Sequence, residues 1–258
     1  MTRTLVLIYG ILSYLAFFAT FLYFMGWING IVVPVHIDTF AVDGKLLVDR
    51  LEESNGTAIL IDTLLIALFA IQHTIMARDA FKEKFTKIIP EGAERPTFVL
   101  LSSVILALIM WQWRPIPAMA ADPLWHFDGD GARYALIGVS FLGFGVVLLS
   151  SFLINHFHLF GLQQSLYYFQ EKPVPNAKFV TPMLYRYMRH PLMFGILVAI
   201  WATPSMTQGH LTFAVVFTAY MLMGLWFEER TLIKHLGDDY RDYRKTTSML
   251  IPMPPKNP

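Results

Sequence analysis

The sequence predicts an all-α integral membrane protein with about six apolar helices, the last two folded back on each other as a helical hairpin. Three observations predict it. The chain of 258 residues is 55% hydrophobic and only 15% charged, where a soluble domain is nearer a quarter charged. Its mean hydropathy is +0.49. The apolar residues come in blocks, several long enough for the roughly 20 residues that a membrane-crossing helix needs, and charged or Pro-rich connectors separate them.

The first span runs from Leu5 to about Val33. One Arg precedes it and no small-residue cleavage site follows, so it reads as a retained helix rather than a signal peptide. A connector with Asp43, Asp49, Glu52 and Glu53 leads to the second span, Thr57 to Ala77. A basic loop separates that from the third, Thr97 to Trp113. The next connector, rich in Pro and Trp, suits a membrane interface. The fourth span is Arg133 to Ile154. After a polar, aromatic section broken by Pro173, Pro175 and Pro182 come two shorter runs, about Pro191 to Gln208 and Leu211 to Phe227. Each is marginal for crossing a core of ~30 Å, and a turn at Gly209–His210 makes them a hairpin. The whole is one membrane domain without repeats. Residues 1–154 hold four transmembrane helices, and 155–258 hold the hairpin, the segment before it and a tail.

Orientation follows from the basic residues, which favour the cytoplasmic side. Alternation from a cytoplasmic N-terminus leaves only Lys45, Arg50, Arg114 and Arg133, of 20 Lys and Arg, on the far side. Both termini are therefore expected in the cytoplasm, across a bacterial inner (cytoplasmic) membrane. No basic stripe or RNA-binding signature is present, so nucleic acid is not an expected partner. The chain has no Cys, which excludes disulfides, thiolate ligands and a thiol nucleophile of its own. No metal site is expected.

The polar residues that interrupt the apolar blocks carry the chemistry. A hairpin has both ends on one side, so Arg189 and His190, just before Pro191, must meet Glu228 and Glu229 at its base. A helix C-terminus disfavours carboxylates by a few tenths of a kcal/mol or more, so two in a row there need a positive partner. Successive helical residues point ~100° apart, so one glutamate faces the site and the other its basic neighbours, and the sequence does not say which. Proline in a first helical turn is ordinary, and Pro191 alone would mean little. Asn155, His156 and His158 end the fourth span, with the two imidazoles diverging on a helix but sharing a face in extended chain. Gln72 and His73 lie in or near hydrocarbon, where a polar group faces a cavity or a partner. Tyr240 and Tyr243 sit on a polar tail, either flat on the membrane surface or folded back over the hairpin base.

Arg189–His190–Pro191 with Gly195, then Glu228–Glu229, then Gly237, Tyr240, Tyr243 and a closing Pro252 resemble the isoprenylcysteine carboxyl methyltransferase-like superfamily. The stretches QHTIMAR, ERPTFVLL and NHFHLFGLQQ further up the chain are similar to its NnrU-like branch. The resemblance implies an enzyme that uses S-adenosylmethionine, with a cytoplasmic-side cofactor site. It implies that Leu159, Gln163, Tyr185, Tyr187, Arg189, His190, Pro191, Gly195, Glu228, Glu229, Tyr240 and Tyr243 border that cofactor. The implied reaction is direct methyl transfer to a small volatile thiol, methanethiol, giving dimethyl sulfide and S-adenosylhomocysteine. A thiol needs a base within hydrogen-bond reach, and His73, Asn155, His156, His158 and Glu228 are the candidates for that polar machinery. Two rival readings follow from the same residues. One is the same fold acting on a larger or prenylated thiol or a lipid. The other is a membrane protein of nitrogen-oxide metabolism that binds haem or a partner through its histidines. Besides thiol and bilayer, the sequence admits an oligomer.

Overall fold

The computed structural model describes residues 2–37, 55–114, 116, 123–175 and 179–255. The connector with Asp43, Asp49, Glu52 and Glu53, together with Lys45, Arg50 and part of the Pro-rich connector, lies outside them. The described residues form α1 (Arg3–Asn29), α2 (Asn55–Met76), α3 (Asp79–Phe85), α4 (Glu91–Gln112), α5 (Asp130–Ile154), α6 (His156–Leu159), α7 (Leu162–Phe169), a 3-10 turn (Met183–Arg186), α8 (Pro191–Trp201), α9 (Gln208–Leu236) and α10 (Asp238–Thr246). Five of these, α1, α2, α4, α5 and α9, are long and apolar enough to cross a membrane, and α8 is a shorter apolar helix. The protein is an all-α, multi-pass membrane protein with the six apolar helices that the sequence predicts.

Helix ends depart from prediction for local reasons. Helix α1 stops at Gly30, whose φ of 62° is a left-handed conformation that costs glycine nothing. Helix α4 begins at Glu91, ahead of Pro96, rather than after it. Proline lacks the N–H that the carbonyl four residues back requires, and the Ser165 hydroxyl donates to that carbonyl, Gly92 O, at 2.9 Å. The hairpin turn lies at 202–207, not at Gly209–His210. Pro204 prevents α8 from continuing past its C-cap Ala202, and the Thr207 hydroxyl restarts the chain by accepting from His210 N at 3.1 Å as an N-cap. Helix α8 thus has 11 residues, about 16 Å, well short of a bilayer core. Helix α9 has 29 and carries Glu228–Glu229 two turns inside its end, so the helix-terminus argument made from sequence does not apply to them.

The chain divides into two compact units. The first comprises residues 1–127, 157–175 and 205–216. Here Tyr9 on α1 donates to Thr97 on α4 at 3.0 Å, and Arg3 pairs with Glu171 just past α7. Its core includes Met76, Phe98 and Val99, with Phe17, Phe81, Phe85 and Phe160 packed around them. A second aromatic cluster joins Trp27, Trp113 and Phe213, with ring centroids 5.4–5.7 Å apart.

The second unit comprises residues 128–156, 176–204 and 217–258. Helices α5 and α8 pack antiparallel and backbone to backbone. A Cβ at Gly143 would stand 2.6 Å from Gly195 O, and one at Gly195 as close to Gly143 O. The Ser140 hydroxyl donates to Ala199 O at 2.8 Å. Helix α9 runs antiparallel to α8, with Glu229 beside His190 and Thr218 accepting from Trp201 Nε1 at 3.0 Å. The C-terminal end of α5, the start of α8 and the Glu228–Glu229 turn of α9 therefore lie together.

Candidate functional site

In the second unit the chain before α8 is fixed by the chain after α10. Met188 and Ser248 form a parallel bridge. Arg189 N donates to Ser248 O at 2.9 Å, His190 N to Met249 O at 3.1 Å and Met253 N to Tyr187 O at 3.1 Å. Gly237, at φ 61°, makes the turn between α9 and α10 that folds the tail back. The tail is a cover over the hairpin base.

Glu229 stands at the centre, only 6% exposed. Its Oε1 accepts from Arg189 Nε at 2.6 Å, His190 Nε2 at 3.3 Å and the Tyr240 hydroxyl at 3.4 Å, and its Oε2 meets Arg244 Nε at 3.1 Å. Arg189 also donates through Nη1 to Thr247 O. A buried carboxylate is tolerated when charge and hydrogen bonds compensate it, and here both do. Since a carboxylate only accepts, His190 Nε2 carries a proton. The Tyr243 hydroxyl donates to Tyr185 O. Burial raises all three tyrosines: Tyr243 reaches about 12 against the opposing pull of Arg189, and Tyr185 and Tyr240 also feel Glu228 and Glu229, respectively. They act as neutral hydrogen-bonding groups.

Glu228 is different. Its side chain is 48% exposed, and its Oε2 lies 3.9 Å from His190 Nδ1, longer than a hydrogen bond. The ~100° step between neighbours turns one glutamate into the clamp and leaves the other with a carboxylate able to receive a ligand's donors. Tyr185 flanks it, donating to Ser150 O at 3.4 Å. Tyr187 contributes backbone to the bridge and has an exposed ring. Pro191 opens α8, and Gly195 packs against α5.

The remaining predicted residues divide between the units. Asn155 and His156 belong to the second. Asn155 caps α5 at φ 114°, a strained conformation for a residue with a side chain. His156 is buried, stacked on Phe152 at 4.2 Å and bonded through Nδ1 to the Ser151 hydroxyl at 2.8 Å; burial lowers its pKa. His73, His158, Leu159 and Gln163 belong to the first unit. His73 meets the Ser102 hydroxyl through Nδ1 at 3.3 Å. Leu159 O accepts from Arg95 Nε at 2.8 Å and His158 O from Gln164 Nε2 at 2.9 Å, while Gln163 is half-buried on α7. The sequence reading missed Arg95, Ser102 and Arg244. Arg95 had a visible signal, since it precedes a proline and an apolar run just as Arg189 does. Arg244 lies four residues after Tyr240, on the same helical face.

The family model described as NnrU protein matches residues 61–252. Methanethiol S-methyltransferase 2 of Bradyrhizobium diazoefficiens is 47% identical over 97% of this chain and 91% of its own length. The methanethiol S-methyltransferase of Mycobacterium tuberculosis is 44% identical over 98% of both chains. Nurim of Xenopus laevis is more distant, 28% identical over 62% of this chain and 58% of its own. No solved structure matches the chain. With most of its length matched by the family model and nearly all of it aligned with these bacterial relatives, the chain belongs to the NnrU protein family.

Proposed function

We propose that the protein transfers a methyl group from S-adenosylmethionine to methanethiol, releasing dimethyl sulfide, in a bacterial cytoplasmic membrane with both termini in the cytoplasm. The observation that carries this reading is the near full-length similarity to proteins named for that transfer. The distribution of Lys and Arg supports the orientation.

The site suits such a donor. S-Adenosylmethionine carries an ammonium group and ribose hydroxyls, all donors, and Glu228 offers a carboxylate that the fold has not used. Glu229, with Arg189, His190, Tyr240 and Arg244, holds the turn that presents Glu228. When bound, the donor supplies an electrophilic methyl group on a sulfonium. The thiolate is the nucleophile, so no protein side chain needs to carry the methyl, consistent with a chain without Cys. Sulfonium and thiolate annihilate charge as they react, and a site that excludes water favours that meeting. An alkyl thiol is a weaker acid than cysteine at ~8.5, so a base must take its proton.

Headspace gas chromatography on purified protein given methanethiol and S-adenosylmethionine tests the reading. Dimethyl sulfide is expected with turnover, and Glu228→Ala should lose most of it together with donor affinity in calorimetry. Donor binding without dimethyl sulfide would make the acceptor a different thiol. Folded protein that binds no donor would remove the reading.

A further inference from the structure

The cover over the hairpin base has two unlike outer surfaces. On α10 the exposed residues are Asp238, Asp239, Arg241, Asp242, Arg244 and Lys245, a charged face that belongs in water. The two non-helical stretches joined at the Met188–Ser248 bridge are the opposite. Phe179 turns inward onto the rings of Tyr240 and Tyr243, but Val180, Met183, Tyr187, Ile251 and Met253 point outward, 47–62% exposed. The Met253 N to Tyr187 O bond and the Ser248 hydroxyl, which donates to Tyr187 O or to Ile251 O, draw the last three side by side. Contiguous exposed apolar side chains on an otherwise polar surface mark an interaction site.

The position of this strip identifies what covers it. His190 caps α8, and its N–H bonds Met249 O, so the tail crosses at the level where an apolar helix begins. An extended chain covers at most ~3.3–3.6 Å per residue, which keeps Tyr187 within roughly 10 Å of that level and Ile251 within roughly 7 Å. The polar boundary of a bilayer is itself about 5–8 Å deep on each side. Helix α9 marks the same boundary. Trp226 is exposed one turn ahead of Glu229, and the Arg230 guanidinium carbon lies 3.4 Å from the centre of its ring. An aromatic ring at the lipid edge with a cation reaching past it towards water is the usual arrangement at a membrane interface.

We propose that the strip is a lipid-docking surface: Tyr187, Ile251 and Met253 lie in the boundary between phospholipid headgroups and acyl chains, while α10 faces water. A second copy of the chain fits the strip less well. A specific protein interface buries ~800 Å² per partner, more than a few half-exposed side chains on two short stretches supply, whereas a lipid boundary requires no matching shape. The tail is then held from both sides, by hydrogen bonds to the chain before α8 and by the bilayer. The same residues that fasten Arg189 and His190 are pressed onto the protein by lipid, so the membrane completes the cover over the Glu228–Glu229 turn.

The absence of Cys gives a direct test. Ile251→Cys, Met253→Cys, Asp239→Cys and Leu142→Cys each provide one thiol for an environment-sensitive fluorophore on the full chain in phospholipid vesicles. Leu142, 70% exposed midway along α5, reports the hydrocarbon, and Asp239 reports water. Labels at 251 and 253 should emit at shorter wavelength than the label at 239 and be quenched severalfold less by aqueous iodide. A nitroxide near the headgroup end of the acyl chain should quench them more than one near its tip, with the order reversed at 142. Iodide quenching at 251 and 253 equal to that at 239 overturns the proposal. So does shielding from both quenchers with energy transfer between labelled copies, which would give the strip to a second copy. The unmodified chain supplies a check that no label can disturb. A phospholipid with a photoactivatable group at the top of its acyl chain should mark residues 249–253 and spare 238–246, and labelling confined to the spanning helices overturns the proposal.

Discussion

Glu228 and Glu229 are the same residue type one position apart, and the fold gives them opposite duties. Glu229 neutralises Arg189 and Arg244 while bonding His190 and Tyr240. Breaking a buried pair from one side costs about 3–5 kcal/mol. Glu229→Gln should therefore lower the melting temperature sharply, whereas Glu228→Gln should melt like the parent and lose donor affinity instead. Thermal unfolding with calorimetry separates the two, and equal melting of both variants would refute the division. The sequence was sufficient to bring Arg189 and His190 to the two glutamates, because connectivity alone closes the hairpin. It could not rank the glutamates, since that depends on which side of α9 meets the tail. Arg95 and Ser102 were hidden for a related reason: their partners are the Leu159 carbonyl and the imidazole of another helix, and no spacing along the chain encodes either.

At the scale of elements, the long spans were legible because hydrocarbon thickness sets a length that composition reveals. The boundaries that were misplaced are those where one residue overrides composition. Pro204 and Thr207 move the hairpin turn, and Ser165 lets α4 run through Pro96 by bonding the carbonyl that the proline strands. Glycine content was equally silent, since a glycine in an apolar run marks either a contact or a vacancy. Gly195→Ala would press a methyl to 2.6 Å from Gly143 O, a backbone atom that cannot yield, and overpacking of this kind costs about 1–3 kcal/mol. At Gly224, in the middle of α9, nothing lies within 4 Å, and Gly224→Ala should stabilise by roughly 0.5–1 kcal/mol. Opposite shifts in unfolding midpoint are the expected result, and shifts of one sign would contradict the packing of α5 on α8.

At the scale of the molecule, the buried imidazole of His156 and the half-buried one of His158 make stability depend on pH. Burial lowers His156, and burial followed by the charges of Arg95 and Lys82 lowers His158. Above their ordinary pKa of about 6.5 both are neutral in the folded and unfolded states alike, and the linkage vanishes. Below it the unfolded chain binds protons that the folded chain refuses, so stability falls as pH drops. Melting followed from pH 8 to 5 should show that decline, and replacing both residues with leucine should flatten it; an unchanged slope would place its origin elsewhere. The tail makes a different point about the whole chain. Thr247, Ser248, Met249 and Met253 fasten the stretch that leads into α8, yet the ribosome makes them only after every apolar helix has been synthesised. Membrane insertion must therefore proceed with the candidate site still open. Its assembly is a late event, after translation has passed residue 253, and a nascent chain inserted in the bilayer is not yet an enzyme.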